Sequence, residues 1–290
     1  MLGIALEAGG VKGAAHIGVL QALEEENIQI DYISGASSGS IVAMLYSIGY
    51  SPIQILSIYK SYCHLITDYD RRIPFKIMGM IFTGKLKLKG LAKGNNLENI
   101  LYEMCKRKGI IDIADVKFPL AIPTVDIYSG ETIYYLNKPL KETSSFNTLL
   151  GIKQKRRGFL PGIVRASSSI PAIFEPKYLD GKLLVDGGVK VGCPVNILKD
   201  MGADKVISVS FLENSLSKIN DSSNMIDITL KTFDIMTEEL RKYELENADY
   251  NIKIDTGSIN SLDCSKISYM ANLGYKITKE HISEIKKIIN

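Results

Sequence analysis

The sequence predicts an α/β domain whose parallel sheet carries helices on its faces. Three observations lead there. Within the first fifty residues the pattern runs strand, glycine-rich turn, helix, strand, tight turn, helix, the βαβα start of a parallel sheet. Hydrophobic residues make up 46% of the chain and charged residues 23%, so a sizeable core is within reach of a soluble globular chain. No repeat and no convincing linker divides the 290 residues, so residues 1–290 read as a single domain.

The elements follow in order. Leu2 to Glu7 is a short run that reads as a buried strand, followed by the glycine-rich turn Ala8 to Gly13. Ala14 to Asn27 places Ile17, Leu20 and Leu23 on one side and ends in Glu24, Glu25 and Glu26, an amphipathic helix. Ile28 to Ser34 is the second strand, and Ser40 to Tyr46 continues as a helix. Pro52 opens another, since proline suits a helix start. Asn96 to Lys108 is helical. Phe118 to Leu136 holds two β-type runs around Tyr128-Ser129-Gly130-Glu131, a hairpin signal. Residues 137–160 are polar and basic, a long loop or mobile cover. Gly162 to Ser168 is a short helix stopped before Pro171. Lys182 to Val185 is expected as a parallel strand. Pro194 to Met201 is a short helix, Lys205 to Phe211 a strand, Asp227 to Asn247 a long helix, Tyr250 to Ile254 a strand, and Ile277 to Ile289 a charged terminal helix.

Gly35-Ala36-Ser37-Ser38-Gly39 lies where the second strand turns into a helix. That is the setting of a nucleophile elbow, with Gly35 and Gly39 letting the turn close and Ser37 exposed above a helix N-terminus. The plain alternative is a serine–glycine turn capping a helix. Ahead of it, Ala8-Gly9-Gly10-Val11-Lys12-Gly13 fits neither the dinucleotide fingerprint nor the Walker pattern. It reads as a turn whose backbone N–H groups, from Gly9, Gly10, Val11, Lys12 and Gly13, converge on an oxyanion, with Lys12 orienting the turn. Losing one such donor costs about 3–4 kcal/mol of transition-state stabilisation.

Asp186-Gly187-Gly188 follows the run Leu183-Leu184-Val185. A parallel strand ending there sets a carboxylate at the edge where open α/β sheets carry their sites, although an Asp-Gly turn is common in its own right. A serine hydroxyl needs a base. Of the three histidines (His16, His64 and His281), only His281 completes the order serine, acid, histidine, and it sits in a charged helix. Two readings stay open: a Ser37–Asp186 dyad, and a hydrolase or acyltransferase with a histidine base. A third is a non-catalytic lipid-binding module.

The glycine turn, the elbow and Asp186-Gly187-Gly188, in that order, resemble the patatin-like phospholipase family, compact bacterial members in particular. Arg165-Ala166-Ser167-Ser168-Ser169-Ile170-Pro171-Ala172-Ile173-Phe174 is similar to that family's segment leading to the aspartate, and Pro194-Val195 fits as well. The resemblance covers residues 1 to about 210. It implies a three-layer α/β/α fold with a mostly parallel central sheet, a Ser37–Asp186 dyad with Gly187 and Gly188 beside the acid, and cleavage of acyl esters from phospholipid or other lipids without a cofactor. Residues 211–290 would complete the sheet and its helices. Ala8 departs from the pattern, standing where the family has the first oxyanion glycine.

The remaining readings concern surroundings. A net charge of +3 is too small to suggest nucleic acid as a partner. Cys63, Cys105, Cys193 and Cys264 form no C-x-x-C pair, so free buried thiols in a reducing compartment are expected, with neither a metal site nor a disulfide framework. No basic leader and no uncharged stretch near 20 residues appears, which gives a cytoplasmic expectation. Residues 71–97 hold seven basic and no acidic side chains around Ile77-Met78-Gly79-Met80-Ile81-Phe82, a composition suited to peripheral contact with anionic lipid. Lys153, Lys155, Arg156 and Arg157 form a second basic cluster.

Overall fold

The computed structural model describes residues 1–66, 89–141, 152–212, 225–257, 259–261 and 263–289. Its centre is a nine-stranded sheet built from β1 (Leu2–Leu6), β2 (Tyr32–Gly35), β3 (Leu120–Asp126), β4 (Thr132–Leu136), β5 (Ile152–Lys155), β6 (Lys177–Leu179), β7 (Lys182–Asp186), β8 (Lys205–Leu212) and β9 (Tyr250–Asp255). The main path runs β5-β4-β3-β2-β1-β8-β9, and β6 and β7 branch from it. β1, β2, β3, β8 and β9 pair in parallel, the outcome of right-handed crossovers through helices. Only the hairpin β3–β4 and the β6–β7 branch are antiparallel.

Alternation along the strands sorts side chains into two cores. Ile4 and Leu6 of β1, Ile33 of β2, Ile122 of β3 and Ile207 and Val209 of β8 face one layer. There they meet α1 (Ala14–Glu25), α2 (Ser38–Ser47), α3 (Pro52–Ile66), α4 (Asn95–Lys108), α5 (Leu160–Ser167) and α8 (Ile267–Ile289). Ala5, Ala121, Tyr134, Leu136 and Val206 face the other, which holds α6 (Asn196–Met201) and the end of α7 (Met225–Glu246). Helices on both faces of a mostly parallel sheet make the three-layer α/β/α architecture the sequence implied. The long helix α7 points charge inward: Arg241 pairs with Glu7 at 2.7 Å, and Glu244 accepts the N–H groups of Val195 and Asn196 at 3.0 Å each.

Several expectations need correction. The second strand is shorter, since residues 28–31 lead into it without pairing as strand. The stretch 137–160 is not all loop, because β5 pairs in parallel with β4, and Lys153 and Lys155 reach Glu131 and Asp180 at 2.7 and 3.0 Å. The terminal helix starts ten residues earlier, at Ile267. Gly274 lies inside α8, where α1 passes so close that a Cβ would stand 2.1 Å from the Ala15 carbonyl oxygen. The thiol expectation fails for one pair: Cys63 and Cys264, 201 residues apart, form a disulfide between α3 and the 3-10 turn before α8. Cys105 and Cys193 are free and buried. Residues 71–88 of the basic stretch, with Phe82, lie outside the described residues.

The correction that matters for the site concerns β7. It was expected as a parallel strand and is antiparallel, placing Asp186 opposite Thr124 of β3. One edge of β3 is taken by β4 along Ala121–Val125. The other edge pairs with β2 at Leu120 and Ala121, then with β7 from Thr124 to Asp126. So β2 and β7 run head-on along a single edge. Ser34 sits beside Ala121, and continuing that register brings Ser37 to the level of Thr124, where β7 delivers Asp186.

Candidate active site

β2 ends at Gly35 and α2 begins at Ser38, leaving Ser37 as the hinge with φ 50° and ψ −123°. For a non-glycine residue that backbone costs on the order of 1–3 kcal/mol and persists only when its surroundings hold it. The neighbours explain the glycines. A Cβ on Gly35 would lie 2.3 Å from the Gly39 backbone, and one on Gly39 would lie 2.4 Å from the Leu6 carbonyl oxygen. Ser37 is 4% exposed. Its carbonyl oxygen accepts the Ser40 hydroxyl at 2.6 Å and the Ser168 hydroxyl at 3.3 Å, and its N–H donates to Ser167 Oγ at 3.2 Å.

Asp186 ends β7, buried. Oδ1 accepts the Gly188 N–H at 2.7 Å, while Oδ2 has no hydrogen bond within 3.5 Å. Burial pushes the carboxyl up to about 7, and the nearby Ser37 hydroxyl and the Gly188 N–H pull it partly back. Ser37 is thus close enough to act on the charge of Asp186 without a closed hydrogen bond. Such contacts commonly tighten only around substrate. Ala8, the departure in the glycine turn, fits beside Gly188, where a Cβ would sit 3.3 Å from that of Ala8.

Residues Gly10–Gly13 form a 3-10 turn leading into α1. Most of its N–H groups are engaged: Gly9 donates to Ser38 Oγ at 3.1 Å, Val11 to the Ser261 carbonyl at 2.8 Å, and Lys12 to the Gly9 carbonyl at 3.2 Å. Among the described residues, the Gly10 and Ser38 N–H groups beside Ser37 have no such partner. The Ser38 N–H is a group that the glycine turn alone does not reveal. Its signal was in the elbow, since the N–H after an elbow nucleophile completes oxyanion holes in such turns.

Ser37 opens onto a cavity of about 430 Å³. Val11, Ile41, Tyr59, Leu97, Ile170 and Phe174 give it an apolar lining, and Ser168, His64 and Asp263 add polar groups. The Cys63–Cys264 disulfide forms part of the wall. The sequence does not mark these residues as one wall, because they come from six separate segments with no shared spacing. Of the histidines, His16 is wholly buried, held neutral by a pKa lowered to about 4, and donates Nε2–H to the Glu7 carbonyl at 2.8 Å. His281 contacts Tyr250 and Glu284 on α8, and only His64 reaches the cavity wall. Among the described residues no cluster of His, Cys, Asp and Glu is arranged to hold a metal ion, and no helix is long and apolar enough to cross a membrane.

A family model described as patatin-like phospholipase matches residues 4–199. An uncharacterized NTE family protein of Mycobacterium bovis is 26% identical over 207 residues, covering 71% of this chain and 48% of its own. Lysophospholipase NTE1 of Candida albicans is 25% identical over 208 residues, 72% of this chain and 13% of the fungal one. The chain thus spans half or less of these relatives' length. Among solved structures, VipD from Legionella pneumophila aligns with a TM-score of 0.47 at 15% identity, covering 98% of this chain and 66% of that one.

Proposed function

The chain belongs to the patatin-like phospholipase family, and on that premise we propose that it hydrolyses acyl esters of lipids through a covalent acyl-Ser37 intermediate with Asp186 as the base. One observation carries the reading: an apolar cavity of about 430 Å³ opens onto a serine held at positive φ, with a buried carboxyl on the same sheet edge. Asp186 takes the proton from Ser37 Oγ as that oxygen attacks the acyl carbon. The oxyanion lies against the N–H groups of Gly10 and Ser38, at the start of α2, where the helix end favours negative charge. Collapse breaks the bond to the leaving alcohol, which receives the proton from Asp186. Water, deprotonated by the same carboxylate, then attacks the acyl carbon; the bond to Ser37 Oγ breaks, Asp186 returns the proton to that oxygen, and the fatty acid leaves.

Burial suits Asp186 to this work, because a carboxyl with a pKa of about 7 is a far stronger base than one in water and is still half ionised near neutrality. His16 is sealed in the core and His281 sits elsewhere on α8, which favours the dyad over a histidine-assisted triad. The basic stretch 71–97 is the proposed contact with a lipid surface, read by vesicle sedimentation with and without anionic lipid. The decisive experiment is labelling with a fluorophosphonate, alongside hydrolysis of a short p-nitrophenyl ester and a lysophospholipid. Wild type should label at Ser37 and cleave, and Ser37→Ala should do neither. Labelling that survives Ser37→Ala sinks the assignment.

A further inference from the structure

Beneath the elbow lies a run, within the segment Arg165–Phe174 noted in the sequence, to which the mechanism above gives no role. The last turn of α5 carries Ser167, and Ser168 and Ser169 follow it, all three buried. Each touches the backbone of one of the two reacting residues. Ser167 Oγ accepts the Ser37 N–H at 3.2 Å, the Ser168 hydroxyl donates to the Ser37 carbonyl at 3.3 Å, and the Ser169 carbonyl accepts the Asp186 N–H at 3.1 Å. Two strands that approach head-on have no ladder between their ends, so these bonds span the junction that the sheet leaves open.

The run is itself anchored. Arg165, one turn back and 2% exposed, donates Nη1–H to Ser169 Oγ, whose own hydroxyl donates to the Arg165 carbonyl at 3.0 Å. Its Nε–H donates to the Gly94 carbonyl at 3.0 Å, ahead of α4, and Nη2–H to the Glu175 carbonyl at 2.8 Å. The guanidinium also lies over the Phe174 ring at 5.3 Å. Phe174, Leu97 of α4 and Ser168 all line the cavity. A fully buried guanidinium is costly unless its donors are met, and here they are spent joining the cavity wall to the serine run.

We propose that Ser167, Ser168 and Ser169, anchored by Arg165, are the positioning element that sets Ser37 against Asp186 and transmits occupation of the cavity to that pair. The proposal rests on the Ser–Asp reading above. The three serines touch backbone and not the reacting atoms, so they act through geometry. Holding Ser37 at positive φ is what aims its hydroxyl, and fixing the Asp186 N–H sets how far β7 reaches toward it. A misplacement near 1 Å at such a pair can cost about a hundredfold in rate.

The test compares Ser168→Ala with Ser168→Thr, because Thr keeps the hydroxyl and the cavity offers room for its methyl group. Ser168→Ala should lower kcat on a p-nitrophenyl ester by about tenfold with KM within about twofold, and Ser168→Thr should recover most of that loss. The fluorophosphonate labelling rate should fall and recover in step. Ser167→Ala, read the same way, is a second arm if it folds. Arg165→Lys, which keeps charge but loses the planar fork, should flatten the rise of kcat with acyl length while KM still falls with it. Equal rates for Ser168→Ala and Ser168→Thr, or a change in KM alone, would overturn the proposal. A wild type that does not label at Ser37 would instead overturn the dyad reading, so the two failures are distinct.

Discussion

Ser37 and Asp186 meet from opposite directions along the same edge of β3, one just past the end of the parallel strand β2 and the other at the end of the antiparallel strand β7. The antiparallel direction of β7 points its end at the end of β2, so both residues come to the same stretch of the β3 edge. The acid is also buried there, and desolvation of the carboxylate raises its pKa although the Ser37 hydroxyl and the Gly188 N–H pull it partly back.

The pH dependence follows directly. The base must be ionised to accept the serine proton, and Asp186 gives up its own proton only near pH 7. For the free enzyme, kcat/KM should climb with pH below that point and level off above it. The measurement is a kcat/KM profile from pH 5 to 9 on one soluble ester. A profile already flat at pH 5, the mark of an ordinary solvated carboxylate, would contradict the assignment.

Stability should run the other way. The folded protein keeps the Asp186 proton up to about pH 7, whereas the unfolded chain releases it near 3.8. Between those values the folded state binds more protons, so stability falls as pH rises across the window. Asp186→Asn removes that cost while its amide oxygen can still accept the Gly188 N–H. At pH 8 the variant should be inactive yet melt higher than wild type by about 5 °C or more, and the difference should vanish below pH 4. Glu244, whose carboxyl burial also raises to about 7, leaves some of the slope in both proteins. Equal melting at pH 8 would show that Asp186 is not desolvated.

Much of this was legible in the sequence. The strand, turn and helix pattern of the first fifty residues implied a parallel sheet with helices on its faces, and the elbow and Asp-Gly-Gly marked positions that the fold sets on one edge of β3. Periodicity located most helices, since an apolar stripe is local information. What stayed hidden was non-local. The direction of β7 depends on which neighbour it pairs with, and Lys182–Asp186 reads alike either way. The first ten residues of α8 were not legible as helix, because the sequence does not show that Ala15 of α1 packs against Gly274. Engagement of Val11 by Ser261 depends on a segment 250 residues away, and Cys63 with Cys264 has no spacing rule to reveal it.

A histidine base would leave a kinetic mark. His281 is the residue that completes the chain order of a hydrolase triad, yet its ring meets Tyr250 of β9 and Glu284 of its own terminal helix. His281→Ala should therefore keep kcat/KM within about twofold of wild type, the range of a surface change. A loss of a hundredfold or more, with the melting temperature intact, would restore the triad reading.

The Cys63–Cys264 disulfide makes the most global prediction. It closes a loop of 201 residues and ties α3 to the turn before α8, so it restricts the unfolded chain over most of its length. By the chain-entropy relation a loop of that size contributes about 5 kcal/mol. Protein unfolded without reductant should show two titratable thiols, those of Cys105 and Cys193, and the other pair should appear only after treatment with a dithiol. The reduced protein, or the Cys63→Ser/Cys264→Ser double variant, should melt about 10 °C or more below the oxidised form. Because both half-cystines line the cavity beside Ser37, the same comparison should change the dissociation constant of a fluorescent fatty acid. The first readout decides whether the bond forms in solution: four thiols in the unreduced, unfolded protein would remove it, together with its claim on the cavity wall.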